Sequence, residues 1–198
     1  MLNPAMSQLH AFVSEYSARD QPWRYLFQTT DVVMGTSLCL AGLATLAWAR
    51  HRPLGRQGWS GIGFVVGGLF SVLDALVTMD CSPTRSPACM AAEEAGHVSA
   101  SHIVHVGTST VVVIGFALPI LLLNSTMTRF RGFGLVVAWA WVIFTLLNGI
   151  GAMDWFNGTP MSYTGIWQRL SLGLGTLWWL TLAADDVITA RARNHVPS

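Results

Sequence analysis

Long apolar runs separated by short polar segments dominate the pattern of the chain. Five runs approach the roughly 20 helical residues that a hydrocarbon core about 30 Å thick requires. They cover residues 32–48, 62–79, 101–123, 133–153 and 163–184. Thr30 and Asp31 supply helix-start residues just before the first run. The pattern predicts an all-α, polytopic membrane helix bundle with about five transmembrane helices.

The segment before the first run is less regular. Apolar residues from Met6 to Val13 recur at helical spacing, but charged residues interrupt the segment. Residues 1–30 are therefore expected to form an N-terminal interfacial segment, either an amphipathic helix lying on the membrane or a sixth membrane-crossing helix. Residues 31–190 are then the transmembrane helical bundle, and residues 191–198 are a short cytoplasmic tail.

The composition supports a membrane protein. Hydrophobic residues make up 52% of the 198 positions, charged residues only 11%, and the mean hydropathy is +0.48, whereas soluble domains carry about 25% charged residues. A net charge of +1 gives no reason to expect nucleic acid as a partner. The expected partners are membrane lipids and either another membrane protein or a second copy, packed against glycine-rich helix faces. Those glycines are Gly61, Gly63, Gly67, Gly68, Gly173 and Gly175.

The distribution of arginine predicts the orientation in the cell membrane. Cytoplasmic loops carry an excess of Lys and Arg. Arginines follow the first, third and fifth runs, at Arg50, Arg52, Arg56, Arg129, Arg131, Arg191 and Arg193. These segments are expected on the cytoplasmic side, with the C-terminus cytoplasmic and the loop after the second run extracytoplasmic. Arg19 and Arg24 count against this assignment, because it places the N-terminus outside.

Two cysteines bracket the loop after the second run. Cys81 and Cys89 lie eight residues apart, with Pro83 and Pro87 between them. An oxidising compartment favours a disulfide here, and a metal site with nearby histidines is the rival interpretation. Cys39, inside the first run, is expected to be inert core.

Acidic and imidazole side chains cluster around the same loop. Asp74, Asp80, His97, His102 and His105 are the members. His102 and His105 share a helix face, so together with Asp80 and His97 they could bind a metal such as zinc. Alternatively, the histidines hydrogen-bond the aspartates and join two helices, or they line a metal-free wet cavity. Asp74, Asp80, His102 and His105 are also the candidate catalytic residues.

Further polar residues in the apolar runs are candidates for ligand binding. They are Ser109, Asn148, Gln168 and Arg169. Because an arginine in lipid needs a polar partner, Arg169 is expected either to pair with Asp74, Asp80 or Asp154, or to bind a lipid phosphate or carboxylate.

Several of these motifs resemble a membrane family known only as domain of unknown function 998. The similar residues are Met79-Asp80-Cys81-Ser82-Pro83, Cys89, the His102-x-x-His105 pair, Pro22 to Phe27 before Asp31, and Gln168-Arg169. Thr78-Met79 stands where the family has a Pro-Met pair. The resemblance covers roughly residues 20–185. It implies membership in a multi-pass family and no particular activity.

Two functional hypotheses follow, and the sequence leaves open whether the protein is an enzyme. One is a non-catalytic lipid-binding or membrane-complex accessory protein with an Asp/His/Arg polar pocket in the outer leaflet. The other is a metal-dependent intramembrane hydrolase acting on a lipid or lipid-linked substrate, with His102 and His105 holding zinc that activates water. Haem is disfavoured, since no run other than the third contains histidine.

Overall fold

The helices form where the sequence keeps long apolar runs, and charged or turn-forming segments separate them. The computed structural model describes residues 3–50, 54–156 and 163–194. The α-helices in those residues are α1 (Arg24–Ala49), α2 (Arg56–Leu76), α3 (Pro87–Glu94), α4 (Ala100–Leu123), α5 (Arg131–Phe156) and α6 (Thr164–Asn194). Two short 3-10 helices cover Val13–Ser17 and Asn124–Thr126. No strand occurs in the described ranges, which confirms the predicted all-α class.

Four helices in the described part of the chain are long and apolar enough to cross a membrane. They are Arg24–Ala49, Arg56–Leu76, Ala100–Thr126 and Arg131–Met153. The predicted fifth run coincides with α6, which is 31 residues long but is not one of the four. Gln168, Arg169, Asp185 and Asp186 dilute its apolar stretch. The protein therefore has the character of a multi-pass membrane protein, and a fifth span remains a prediction.

Two helix boundaries differ from the sequence-based expectation. Helix α1 begins at Arg24, so Thr30 and Asp31 lie inside the helix and do not start it. The Thr30 hydroxyl donates to the Phe27 carbonyl of the preceding turn, at 2.7 Å, which lets a polar residue continue the helix. Helix α2 ends at Leu76, three residues before the predicted end, and releases Val77–Asp80 into the following loop.

Close helix packing depends on glycine. A Cβ atom added at Gly68 of α2 would lie 2.5 Å from the carbonyl oxygen of Gly35 on α1. A Cβ atom at Gly115 of α4 would lie 2.5 Å from the Cα atom of Gly67 on α2. The glycines of α2 therefore bring α1 and α4 close within one chain. Gly173 of α6 has no such neighbour, so the predicted packing against a partner remains untested there.

The apolar core lies toward the end of the bundle where α4 meets α5. Ile120, Trp141 and Trp178 are buried there, and the ring of Phe64 packs 4.5 Å from that of Trp179. This cluster joins α2 and α4 to the α5–α6 pair. The polar residues discussed below lie mainly at the opposite end, where α2 ends and α4 and α6 begin.

An N-terminal cap, defined here as residues 3–23, folds over that opposite end. It consists of turns and the 3-10 helix Val13–Ser17, where the sequence predicted an amphipathic or membrane-crossing helix. Met6, Ala11 and Tyr16 form a small buried cluster against Phe27 of α1. Backbone hydrogen bonds join the cap to the rest of the protein, from Arg19 to Met79 and from Ile166 to Leu9. The cap and the loop after α2 thus occupy the same end of the bundle.

Candidate functional site

A disulfide closes the loop between α2 and α3. Cys81 and Cys89 are bonded, with their Cα atoms 6.0 Å apart, which confirms the predicted bridge. Pro87 lies in the first turn of α3, and the Ser86 hydroxyl accepts from the Cys89 amide to cap that helix. Residues 81–89 are called the disulfide loop below. Cys39 has no disulfide partner and donates weakly to the Val65 carbonyl.

Asp80 joins the cap to the start of α4. Its carboxylate accepts from the amide and hydroxyl of Ser99, at 2.6 and 2.7 Å, and from the Arg19 guanidinium at 3.1 Å. Partial burial would raise the pKa of Asp80, but the hydrogen bonds from Ser99 and the charge of Arg19 outweigh it and lower the pKa. The observed ion pair of Asp80 is therefore with the N-terminal cap, and not with Arg169 as the sequence allowed.

His102 is buried beside this pair. Its Nδ1 accepts the Asp80 amide at 3.2 Å, so a neutral ring carries its proton on Nε2. Nε2 lies 3.7 Å from Glu93 Oε1 and has no hydrogen-bond partner among the described residues. If a metal ion bound Nε2, the proton of the neutral ring would have to sit on Nδ1. It would then face the Asp80 N–H, and two donors would point at each other. The geometry therefore disfavours His102 as a metal ligand.

Asp74 and His105 form a second, separate group between α2 and α4. His105 Nδ1 is 2.9 Å from the Val77 carbonyl and 3.2 Å from Asp74 Oδ1. Both neighbours are acceptors, so Nδ1 carries a proton, opposite to the tautomer of His102. Asp74 also accepts from the Ser109 hydroxyl at 3.0 Å and from the Thr108 hydroxyl. This arrangement matches the expectation that a histidine and an aspartate join two helices.

The predicted metal set is not assembled in this geometry. Within residues 3–50, 54–156 and 163–194, no three His, Cys, Asp or Glu side chains are grouped so that they could hold a metal ion. His97 is exposed, and His102 and His105 belong to different polar groups. Zinc binding therefore remains a prediction without geometric support from the described residues.

Arg169 binds backbone carbonyls of the cap. Its Nη1 donates to the carbonyl oxygens of Gln8 and Ala11, both at 2.9 Å, and of Gly165 at 2.8 Å. The guanidinium carbon lies 5.7 Å from the centre of the Tyr16 ring. No carboxylate pairs with Arg169 in the part of the chain that the structure describes. The side chain of Asp154, one predicted partner, lies outside that part.

The remaining predicted ligand-binding residues fall in different places. Gln168 accepts the Val13 amide at 2.5 Å and so helps to hold the cap. Ser109 belongs to the Asp74 group. Asn148 lies in α5, and its buried Oδ1 has no hydrogen-bond partner among the described residues. The predicted residues do not converge on one cavity.

A small cleft lies between the cap, α1 and α6. Its volume is about 190 Å³, and its lining residues are Gln8, Val13, Tyr16, Phe27 and Arg169. Val13 and the two aromatic rings supply apolar surface, and Arg169 supplies a cationic group. Three of the five lining residues come from the cap, which makes the cleft dependent on how the cap is held.

The sequence did not predict the structural roles of two buried acids. Glu15 is fully buried and accepts from the Ser82 hydroxyl at 2.5 Å, from the amide and hydroxyl of Thr84, and from the Phe12 amide. Burial raises the pKa of Glu15 even though these hydrogen bonds oppose the shift. Glu15 is the third residue after Phe12, the spacing at which an acid caps a helix start, and this was the available signal.

The second missed acid is Asp185. Its sequence neighbourhood suggests a solvated interface charge, but the residue is only 2% exposed. Its carboxylate accepts the backbone amides of Thr128, Arg129 and Phe130 at 2.7–2.9 Å. It thereby caps the start of α5 from α6. No feature of the sequence distinguishes it from the adjacent Asp186.

Comparison with known proteins identifies the family and no activity. No curated protein and no solved structure matches the chain significantly. The family model described as "Protein of unknown function (DUF998)" matches residues 1–185, which is most of the chain. The four apolar helices and this match agree with the resemblance of the motifs around Asp80 and His102, and the chain is a member of the DUF998 family of membrane proteins.

Proposed function

We propose that this protein is a non-catalytic membrane protein that binds the headgroup of an anionic lipid in the cleft under its N-terminal cap. One observation supports this most: Arg169 lies in a partly apolar cleft, and its described hydrogen-bond acceptors are backbone carbonyls, not carboxylates. Carbonyls satisfy N–H donors but leave the positive charge of the guanidinium uncompensated. A phosphate oxygen can compensate that charge through a charge-assisted hydrogen bond.

The position of the cleft suits a lipid. Phe27 lies in the first turn of α1 and Arg169 in the second turn of α6, so both lie near one end of the bundle. A volume of about 190 Å³ fits a headgroup but is smaller than the pockets that enclose whole ligands. The acyl chains would remain along the apolar helix surfaces. In the predicted orientation, this end faces the outer leaflet.

The alternative of a hydrolase has less support. A catalytic acid and base need free lone pairs or protons directed at a substrate. Asp74 instead accepts from three side chains of α4, and Asp80 accepts from Ser99 and Arg19. Both acids thus join structural elements. This arrangement favours a binding role for the end of the bundle that contains them.

The test is lipid retention by the purified protein. Protein reconstituted in nanodiscs of phosphatidylcholine and phosphatidylglycerol is released into detergent, and native mass spectrometry measures the bound lipid. Arg169→Gln should lower phosphatidylglycerol retention about tenfold, since it removes a charged hydrogen bond. Arg85→Gln removes the same charge at an exposed position of the disulfide loop and should have no effect.

A second variant separates binding from folding. Arg169→Gln also removes three bonds to carbonyls, two of them in the cap, so it could loosen the cap itself. Val13→Phe keeps the charge and those bonds but fills the cleft. It should lower phosphatidylglycerol retention to a similar extent. Wild-type retention by both variants, or an equal preference for phosphatidylcholine, would exclude the proposed site, and lipid hydrolysis products would favour the enzyme hypothesis.

A further inference from the structure

We infer that the Cys81–Cys89 disulfide is a redox switch that holds the N-terminal cap in place through Glu15. Ser82 and Thr84 lie inside the disulfide loop, and both bind the fully buried carboxylate of Glu15. The disulfide loop therefore supplies the hydrogen-bond donors that hold the cap. The effect of the disulfide on the cap does not depend on any ligand. Only its consequence for lipid retention rests on the proposed function.

The Glu15 contact is the strongest link between the cap and the disulfide loop. One oxygen, Oε2, accepts three hydrogen bonds from Ser82 and Thr84, while Oε1 accepts the Phe12 amide of the cap itself. The three donors must keep fixed relative positions to meet one oxygen atom. Their backbone is constrained by the disulfide, which closes a loop with a sequence separation of 8. Opening this loop frees backbone conformations that scatter the donors.

A reductant is expected to attack the disulfide at Cys81, the more exposed of the two bonded cysteines. Cys81 is half-buried, whereas Cys89 is 4% exposed. One thiol of a dithiol reductant attacks a sulfur atom, which breaks the S–S bond and joins the reductant to that cysteine in a mixed disulfide. The second thiol of the reductant then releases the cysteine. Both cysteines become thiols, and the reductant becomes a disulfide, with two electrons and two protons transferred. Cys39, in α1, has no disulfide partner.

The consequence extends to the cleft. Gln8, Val13 and Tyr16 line it from the cap, so the mobility of the cap determines how firmly the cleft is held. Reduction removes the constraint on the Glu15 contact, while the hydrogen bonds of residues 8–13 with Arg169 and Gln168 still attach the cap to α6. The oxidised protein should therefore hold the cleft in a fixed shape, and the reduced protein should hold it less firmly.

Amide hydrogen exchange of the full-length protein in detergent tests the switch. Reduction with a dithiol should accelerate exchange in residues 5–18 about tenfold or more, while exchange in the middle of α5 stays unchanged. The Cys81→Ser/Cys89→Ser double variant should reproduce this in the absence of reductant. If that variant does not fold, the reduced wild-type protein still gives the answer, with Cys39→Ser as the control for the remaining thiol.

Glu15→Gln shows whether the disulfide acts through Glu15. A glutamine must place its N–H₂ group against either the Phe12 or the Thr84 amide, so one bond is lost. The variant should exchange rapidly in the cap when oxidised, and reduction should add little. Equal cap protection in both redox states of the wild type overturns the inference. So does a full additional effect of reduction in Glu15→Gln. If reduction abolished lipid retention without changing amide exchange in the cap, this inference would be wrong while the proposed function would still hold.

Discussion

The contact between Gly67 and Gly115 gives the sharpest prediction about the bundle. Helices α2 and α4 approach so closely here that a Cβ atom on residue 115 would lie 2.5 Å from both the Cα and N atoms of Gly67. It would also lie 2.9 Å from the Gly63 carbonyl oxygen. All of these are backbone atoms, which cannot rotate away as the end of a side chain can. Gly115→Ala must therefore separate the two helices.

The required movement sets the expected cost. Non-bonded carbon atoms are in optimal contact at about 3.5–4.0 Å, so the backbones must separate by about 1 Å. A shift of this size weakens packing along the interface and lengthens the Asp74–Ser109 hydrogen bonds two turns away on α2. Overpacking of this kind costs about 1–3 kcal/mol in the free energy of unfolding.

The assay is reversible unfolding in mixed micelles, followed by circular dichroism as the denaturing detergent fraction rises. Gly107→Ala is the matched control, since it lies on the same helix and an added Cβ meets nothing within 4 Å. It should leave stability unchanged or raise it by up to about 1 kcal/mol through helix propensity. Equal unfolding free energies for Gly115→Ala and Gly107→Ala would refute the close contact between α2 and α4.

Two further predictions concern acids outside the apolar core. Asp185→Asn should lower the free energy of unfolding by about 1–2 kcal/mol in the same assay, because the backbone amides at the start of α5 lose a charged acceptor. Asp186→Asn, at the adjacent exposed position, should be nearly neutral. The pKa of Asp80 is lower in the folded state than in the unfolded chain. As the pH falls, the unfolded chain therefore binds a proton at Asp80 before the folded protein does, and the stabilisation by Asp80 is lost. The stability difference between wild type and Asp80→Asn should therefore be present above about pH 4 and shrink below it; a difference that persists unchanged in acid contradicts this assignment.

The helices could be predicted well because one physical requirement determines them. An apolar run that must cross a hydrocarbon core needs a certain length, and this length is visible without any knowledge of tertiary contacts. The helix ends depend on local bonds. The Thr30 hydroxyl bonds the Phe27 carbonyl of its own helix, so the Thr30-Asp31 pair that predicts a helix start lies inside α1. Pattern alone cannot show whether a hydroxyl bonds within its helix or caps it.

The pairing of the polar residues could not be predicted, because several partners satisfy each of them equally well. Arg169 requires acceptors, and carbonyls of an irregular N-terminal segment serve as well as the expected carboxylates. Asp80 requires donors, and it obtains them from Ser99 and Arg19. The tautomers of His102 and His105 likewise follow from neighbours brought together by the fold. Their spacing of three residues predicts a shared face, which is correct, but not a shared ligand.

The charges at the capped end explain why an anion is the expected ligand there. Arg19 and Asp80 neutralise each other, and Glu15 is buried among neutral donors that favour a fixed position for it. Arg169 differs, since the dipoles of three carbonyls orient its guanidinium but cannot cancel a full charge. A cation beside apolar surface attracts an anion more strongly than one in open water, because screening is weaker there. The cap thus fixes Arg169 by hydrogen bonds while leaving its charge for a ligand.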